Sequence, residues 1–277
     1  VSLTSFMNYL VSEKSKILSL LLQHVELTII AIVLAIIIGI PLGIFIAHCK
    51  SVRKYVLGFI NIVQAVPSMA FLGLLVPVLG IGSTPAIFMV VLYSLLPIVK
   101  NTSTGITGID SGILESATGI GLTPRQILFK IQLPLALPII MAGVRISAVS
   151  AVGLMTLSAF VGAGGLGYLV FSGVQTVNNT MILAGAIPAC ILALCVDFVF
   201  SKIEVVAIPD GISTSKSKRS RHAKNPKEYR DPKYKARRRK VIGVATALVI
   251  IFIGCGRYFF SSFAQKETIV VGLSLIH

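Results

Sequence analysis

Residues 25–47 read VELTIIAIVLAIIIGIPLGIFIA, an apolar run in which Glu26 is the one charged residue. A helix of about 20 apolar residues crosses the hydrocarbon core of a bilayer and satisfies its own backbone hydrogen bonds there. The run therefore predicts a membrane-spanning helix. Five further stretches pass the same test, with boundaries placed to within several residues; they lie near 56–78, 84–100, 134–159, 180–202 and 241–263.

The composition agrees with a membrane protein. Of the 277 residues, 55% are hydrophobic and 13% are charged, there is no Trp, and the mean hydropathy is +0.91. A chain of this kind is too apolar for an ordinary soluble domain. We expect an all-α, polytopic membrane protein with five core spans and one additional transmembrane helix.

The net charge of +15 is concentrated in one segment. Residues 213–240 hold thirteen Lys and Arg against Glu228 and Asp231, with little apolar content. A basic run beside a span attracts anionic lipid headgroups and marks the cytoplasmic side, so we expect no nucleic acid partner. The segment cannot bury a core of its own, which predicts a tether.

Charges in the other loops predict the orientation. Lys50, Arg53 and Lys54 follow the first span, whereas the 79–83 loop carries no charge. The positive-inside bias therefore places the N-terminus outside the cell. The expected organisation is an extracytoplasmic segment at 1–24, a transmembrane domain at 25–210 with a cytoplasmic loop at 101–133, a basic linker at 211–240, a sixth span at 241–263, and the truncated start of an extracellular domain at 264–277.

The cytoplasmic loop before the fourth span has a helical pattern of its own. Ile113, Leu114, Ala117 and Ile120 share one face of a short helix, which nearby glycines end. Residues 123–126 (Thr-Pro-Arg-Gln) then start a second helix with a capping box and Pro at its first position. We expect the two helices to present an apolar knob to a cytoplasmic partner.

The same loop carries a specific motif. Glu115-Ser116-Ala117, then Gly121, then Ile131-Gln132-Leu133-Pro134 have the spacing of the EAA loop of ABC importer permeases, with Ser116 in place of the usual second Ala. The loop resembles that family, in which it docks on a separate ATPase subunit. The resemblance implies that these residues couple ATP hydrolysis to transport. The sequence contains no Walker A motif, and we expect a transport subunit rather than an enzyme.

Three more segments narrow the resemblance. Residues 64–68, 95–102 and 162–167 are similar to segments of permeases for glycine betaine, carnitine and choline, and the similarity covers most of 20–210. It implies a bacterial cytoplasmic membrane protein that works as a pair of permease copies and imports a quaternary ammonium osmolyte. In one branch of this family a substrate-binding domain is fused behind an extra span. Some members import ergothioneine, so the family alone does not fix the ligand. Ergothioneine or an amino acid remain alternatives.

Polar side chains cluster near two prolines in the second and third spans. Gln64, Pro67 and Ser68 lie in one span, and Tyr93 and Pro97 in the other. A proline frees a backbone carbonyl, and such kinks often face a transport path. These side chains are candidates for lining the path or, equally, for hydrogen-bonding between helices.

Two ionisable residues lie deep in the core spans. Arg145 is mid-way along the fourth span, and Asp197 is in the fifth. A charge at that depth must be paired or face a cavity. We hypothesise a structural or gating ion pair.

Gly162, Gly164 and Gly167 spell the GxGxxG pattern of dinucleotide-binding loops, but no soluble strand precedes them. A tight bend at the outer mouth explains the glycines better. The Cys and His residues are scattered without metal-ligand spacing, so we expect neither a cofactor nor a metal. A secondary transporter or a membrane-anchored sensor remain alternatives, and the EAA-like loop argues against both.

Overall fold

The computed structural model describes residues 3–207, and almost all of this part is helical. It contains ten α-helices and no strand within the described residues, in agreement with the all-α prediction. The predicted basic linker, sixth span and terminal strand lie outside the described residues. In chain order the helices are α1 (Leu3–Ser12), α2 (Lys14–His48), α3 (Lys50–Ala65), α4 (Ser68–Leu79), α5 (Ser83–Thr107), α6 (Ser111–Gly119), α7 (Pro124–Ile127), α8 (Leu133–Leu157), α9 (Gly167–Gln175) and α10 (Asn179–Ala207).

Four helical stretches are long and apolar enough to cross a membrane, and they contain the whole of the first, third, fourth and fifth predicted spans. Because α2 already begins at Lys14, much of the segment expected ahead of the first span is itself helical. The four stretches are Lys14–His48, Ser83–Thr107, Pro124–Val161 and Asn179–Glu204.

The second predicted span, 56–78, is not a single helix. Helix α3 ends at Ala65, α4 begins at Ser68, and the two are bent by 98°. The residue before a proline is disfavoured in the helical region, and Val66 has extended angles (φ −69°, ψ 132°) ahead of Pro67. Pro67 therefore separates two helices, and the bend at this proline is sharper than a kink within one continuous helix. The pair forms a fifth span if it crosses the membrane as a broken helix.

Helix α5 is central in the described bundle and packs against both α2 and α8. Its side chains Met89, Ile98 and Val99 are completely buried. Small residues allow helices to approach closely in membranes. At Gly43 of α2, an added Cβ would lie 2.5 Å from the Cβ of Thr102 on α5. Any larger residue at this position would push the two helices apart.

A continuous helical stretch, Pro124–Val161, joins the loop after α6 to the fourth span. It begins as α7, passes through a π-helical turn at Leu128–Gln132, and continues as α8. Single π turns inside helices are rare and frequently occur at functional positions. No break separates α7 from α8, so the loop and the fourth span are joined by continuous helix.

Candidate functional site

The predicted pair of short helices in the loop before the fourth span is present as α6 and α7. The Asp110 side chain caps α6 by accepting a 2.7 Å hydrogen bond from the Gly112 N–H. The helix ends at Gly119, and Gly121 follows with φ +84°, a left-handed angle that favours glycine. The Leu122 N–H donates back to the Ala117 carbonyl at 3.1 Å and closes the turn.

The predicted capping box starts α7. The Gln126 N–H donates to Thr123 Oγ1 at 3.4 Å, and the Thr123 N–H donates to Gln126 Oε1 at 2.9 Å. Pro124 occupies the first turn, where its missing N–H leaves no donor unpaired. These local bonds give the loop a defined shape before any partner binds.

The apolar face of this loop is only partly exposed. Ala117 points inward and is 3% exposed, whereas Ile113 and Ile120 are 44% and 78% exposed. Phe129, on the π turn, is 66% exposed and was not among the sequence candidates. Phe129 precedes Lys130 in the sequence, and an apolar residue next to a charged one was the signal that could have identified it. We call Ile113, Ile120 and Phe129 the coupling knob, after the role that the EAA-like motif predicts for this loop.

The remaining motif residues differ in their surroundings. Glu115 and Ser116 are exposed, and the Ser116 hydroxyl donates to the Gly112 carbonyl of its own helix at 2.7 Å. The side chains of residues 131–134 are half-buried, apart from the buried Gln132, and they form the junction with α8. The motif therefore combines exposed side chains on α6 with half-buried or buried side chains at the start of α8.

The two prolines and their polar neighbours meet at the bend between α3 and α4. The Tyr93 hydroxyl of α5 donates to the carbonyl of Val66, which lies at the break. Gln64 Nε2 donates to the Tyr93 carbonyl at 3.4 Å. That carbonyl is available because Pro97, four residues later, has no N–H to donate to it.

These contacts tie α5 to the bend and support the hydrogen-bonding role for Gln64 and Tyr93. Gln64 and Pro67 are nevertheless exposed, and Ser68 is half-buried. Their part in a transport path stays a prediction.

The structure brings Arg145 and Asp197 together. Arg145 Nε donates to Asp197 Oδ1 at 2.6 Å, and its Nη2 donates to Asp197 Oδ2 at 2.8 Å. A longer contact of 3.5 Å joins Arg145 Nη1 to Glu204 Oε2, a partner that the sequence did not reveal. The side chains of Arg145 and Asp197 are 34% and 42% exposed, so a second protein surface or water must cover them in the membrane.

The glycine loop forms a compact bend and belongs to no nucleotide-binding fold in the described part of the chain. Gln23 of α2 holds it: Gln23 Nε2 donates to the Ala163 carbonyl at 3.2 Å, and Gln23 Oε1 accepts from the Gly165 N–H at 3.0 Å. Gly164 has φ +82°, and an added Cβ there would lie 2.4 Å from Gln23 Oε1. Beside it, His24 is fully buried, with Nε2 3.2 Å from the Val152 carbonyl.

Long apolar helices, a structured loop at one end of the bundle and a compact glycine loop after α8 define a polytopic helical transport subunit. The chain belongs to the family described as binding-protein-dependent transport system inner membrane component, whose model matches residues 39–204.

Several curated bacterial permeases are similar over most of their length. The chain is 42% identical over 194 residues to the glycine betaine/carnitine/choline transport system permease protein OpuCB of Bacillus subtilis (strain 168), covering 70% of this chain and 89% of the relative. It is 40% identical over 210 residues to the osmoprotectant import permease protein OsmW of Salmonella typhimurium (strain LT2), covering 74% of this chain and 98% of that protein.

Solved structures support the same fold. A chain of the MetNI methionine ABC transporter in an inward-facing conformation superposes with a TM-score of 0.62 at 23% identity, over 68% of this chain and 94% of that one. A chain of an amino acid ABC transporter gives a TM-score of 0.59 at 19% identity, over 74% and 98% of the two chains. At this identity the likeness establishes the fold alone.

Proposed function

We propose that this chain is the membrane-spanning subunit of an ATP-driven importer and that its cargo is a quaternary ammonium osmolyte such as glycine betaine, choline or carnitine. The observation that carries the proposal is the coupling knob on a preformed cytoplasmic loop. The cargo follows from relatives at 40–42% identity that are named for these osmolytes.

The coupling knob is the surface on which a separate ATPase subunit docks. Ile113, Ile120 and Phe129 expose apolar area on the aqueous side, where a partner's groove would remove it from water. Ala117 is buried, and α6 packs against α7. Closure of the ATPase subunits therefore pushes on α6 and α7, and the continuous α7–α8 helix carries that displacement into the spans.

Two copies of the permease give two coupling knobs, one for each ATPase subunit, with the solute path between them. A substrate-binding domain, joined to this chain or separate, delivers the osmolyte from outside. An aromatic cage that holds the ammonium group belongs to that domain rather than to the spans. On the permease, the exposed Gln64 and Pro67 and the half-buried Ser68, at the α3–α4 bend, are the candidates for lining the path.

Uptake into proteoliposomes tests the proposal. The permease is reconstituted with its ATPase and binding protein, and radiolabelled glycine betaine, choline and carnitine are offered with and without ATP inside. We expect ATP-dependent accumulation of at least one of them, and none with a non-hydrolysable ATP analogue. Accumulation without ATP would indicate a secondary transporter, and ATP-dependent uptake of none of the three would reject the cargo.

A further inference from the structure

His24 of α2 is a fully buried histidine that no step of the proposed function uses. Its Nε2 lies 3.2 Å from the Val152 carbonyl of α8, an oxygen that can only accept, so Nε2 carries the ring proton. Nδ1 has no hydrogen-bond partner among the described residues. It faces the glycine loop, because a Cβ added at Gly165 would lie 3.0 Å from it. The site therefore fits a neutral imidazole with one unpaired nitrogen against the loop.

A protonated ring would not fit this site. Both ring nitrogens would then carry a proton, and the Nδ1 proton would have no acceptor in the described part of the chain. Burying an unpaired charge costs far more free energy than burying a neutral polar group. A solvent-exposed histidine takes up a proton at about pH 6.5, so mild acid is enough to favour a state in which the ring reaches water.

The charged groups on the neighbouring elements do not face the ring. Glu26 is two residues further along α2, a spacing that puts it on a different side of that helix. Arg145 of α8 is seven residues from Val152, which is about 10 Å of helix. Lys16 and Tyr168 contact each other, with the ammonium 5.4 Å from the centroid of the Tyr168 ring.

The other titratable groups of the packed helices are further away along the chain. Those of α5 and α10 lie about 15 Å of helix or more from the ends of these helices that adjoin the glycine loop. They are Tyr93, Lys100, Cys190, Cys195, Asp197, Lys202 and Glu204, and Tyr9, Glu13 and Lys14 precede His24 by at least two turns of helix.

The glycine loop joins the ends of three spans. It follows α8, and Gln23 of α2 holds it through the Ala163 carbonyl and the Gly165 N–H. The Gly82 N–H, just before α5, donates to the Val161 carbonyl at 2.7 Å. Release of the loop from α2 would therefore free the ends of α2, α5 and α8 from one another.

We propose that His24 is a positioning residue that holds the glycine loop only while its ring is neutral, so that acid outside the cell releases the loop and lowers uptake. The proposal rests on the importer function proposed above. We call Gln23 and His24, together with residues 162–167, the outer latch. The latch is intact above the pH at which an exposed histidine ionises, and it is lost as the pH falls, because only the released state accepts the proton.

Thiol labelling measures release of the outer latch. In the complete importer with its native cysteines replaced, Ser158→Cys puts a thiol at a fully buried position in the turn before the glycine loop. Its rate of reaction with a membrane-impermeant maleimide is divided by the rate at the exposed Thr176→Cys, which cancels the pH dependence of the reagent. Between about pH 7.5 and about pH 5.5 outside, this ratio should rise about tenfold, since the released state binds one proton that the latched state excludes.

His24→Gln is the matched variant. Its amide can donate to the Val152 carbonyl, as the imidazole does, but it takes up no proton. The labelling ratio should stay constant over the same pH range, and uptake should lose at least about twofold less in acid than it does with His24. The control is His48→Gln, which removes the other histidine of the described residues, at the opposite end of α2. It should keep the rise in labelling.

Each outcome decides the proposal. A constant ratio with His24 in place would overturn it, whether or not the variants fold. A rise that persists in His24→Gln, or that disappears in His48→Gln, would also overturn it, because another group would then be titrating. Equal acid sensitivity of uptake with histidine and with glutamine would refute the link to transport. Labelling needs no cargo, so a rise that depends on His24 would stand even if none of the three osmolytes were transported.

Discussion

Arg145 lies mid-way along α8, and its guanidinium is held by two carboxylates of α10 at unequal strength. Asp197 accepts two hydrogen bonds, whereas Glu204 lies 3.5 Å from the guanidinium. Removing one member of such a group leaves a charge without its partner at membrane depth. We therefore expect Asp197→Asn to reduce uptake and folded yield severely, and Glu204→Gln to reduce them less. Transport assays and size-exclusion profiles measure both effects.

The exchanged pair, Arg145→Asp with Asp197→Arg, is the decisive control for this ion pair. If the pair is structural, the double variant should recover part of the transport that each single variant loses. Independent effects of the two substitutions, with no recovery, would contradict a direct coupling between them.

Two glycines of the outer loop form a matched pair for a second prediction. Gly162 and Gly164 both have positive φ, so alanine at either costs about 1–2 kcal/mol of backbone strain. An added Cβ at Gly162 meets open space, whereas at Gly164 it displaces the Gln23 amide from its two hydrogen bonds. Gly164→Ala should therefore lower the free energy of unfolding more than Gly162→Ala, as followed by helical circular dichroism.

A Gln23→Ala background isolates the contact between Gly164 and Gln23. There the two glycine substitutions should cost about the same, because only backbone strain remains. A persistent extra cost at Gly164 in that background would show that the Gln23 amide is not the group that an alanine displaces.

At the scale of single residues, the sequence predicts the contacts that follow from the composition of one helix. A lone arginine and a lone aspartate inside apolar spans must find each other, and Arg145 and Asp197 do. Glu204 was missed because it lies at the last residue of its span, beyond the predicted 180–202. The Gln23 contacts were missed because side-chain bonds to a loop about 140 residues away leave no periodic signal.

The bend between α3 and α4 is the element that sequence periodicity described least well. Apolar residues continue through 56–78, so the average hydropathy of this segment predicts one span. Pro67 interrupts the helix by changing the backbone of the single residue before it, Val66, and an average over many residues does not detect that change. The capping box of α7, in contrast, is a local signal and is present in full. Local caps are readable because all their partners lie within one turn.

The bend should be stabilised by the Tyr93 hydroxyl. Tyr93→Phe removes the donor to the Val66 carbonyl and leaves that acceptor without its partner from α5. We expect a loss of about 1–3 kcal/mol, seen as a lower melting temperature in detergent. Tyr168→Phe is the control, because the Tyr168 hydroxyl makes no hydrogen bond to the described residues. An equal effect of the two substitutions would contradict a specific role for the Tyr93 hydroxyl in stabilising the bend.

The coupling knob can be tested as an element. Ile120→Ala removes most of a side chain that is 78% exposed and should lower the affinity for the ATPase subunit about tenfold. Leu22→Ala on α2, at a position 61% exposed, is the matched control and should leave the affinity unchanged. Co-purification and ATPase titration measure both. Unchanged ATPase binding by Ile120→Ala would remove Ile120 from the docking surface.

The orientation of α5 and of every later span depends on whether the α3–α4 pair crosses the membrane or returns to the side from which it entered. If it crosses, Lys54 and Arg125 lie on the same side, and Thr176 lies on the other. If it returns, α5 and every later span are inverted, and the basic loop before α8 moves outside. The Gly82 N–H donates to the Val161 carbonyl at 2.7 Å, so the loop after α4 stays with the glycine loop in either case.

The positive-inside bias favours the crossing, because inversion would place Lys100, Arg125 and Lys130 outside. Single cysteines in a background without native cysteine, labelled in intact cells with a membrane-impermeant maleimide, distinguish the two arrangements. We expect Thr176→Cys to react at once, and Lys54→Cys and Arg125→Cys to react only after permeabilisation. Opposite behaviour of Lys54→Cys and Arg125→Cys would instead establish a re-entrant pair, and the coupling knob would then face away from any cytoplasmic ATPase.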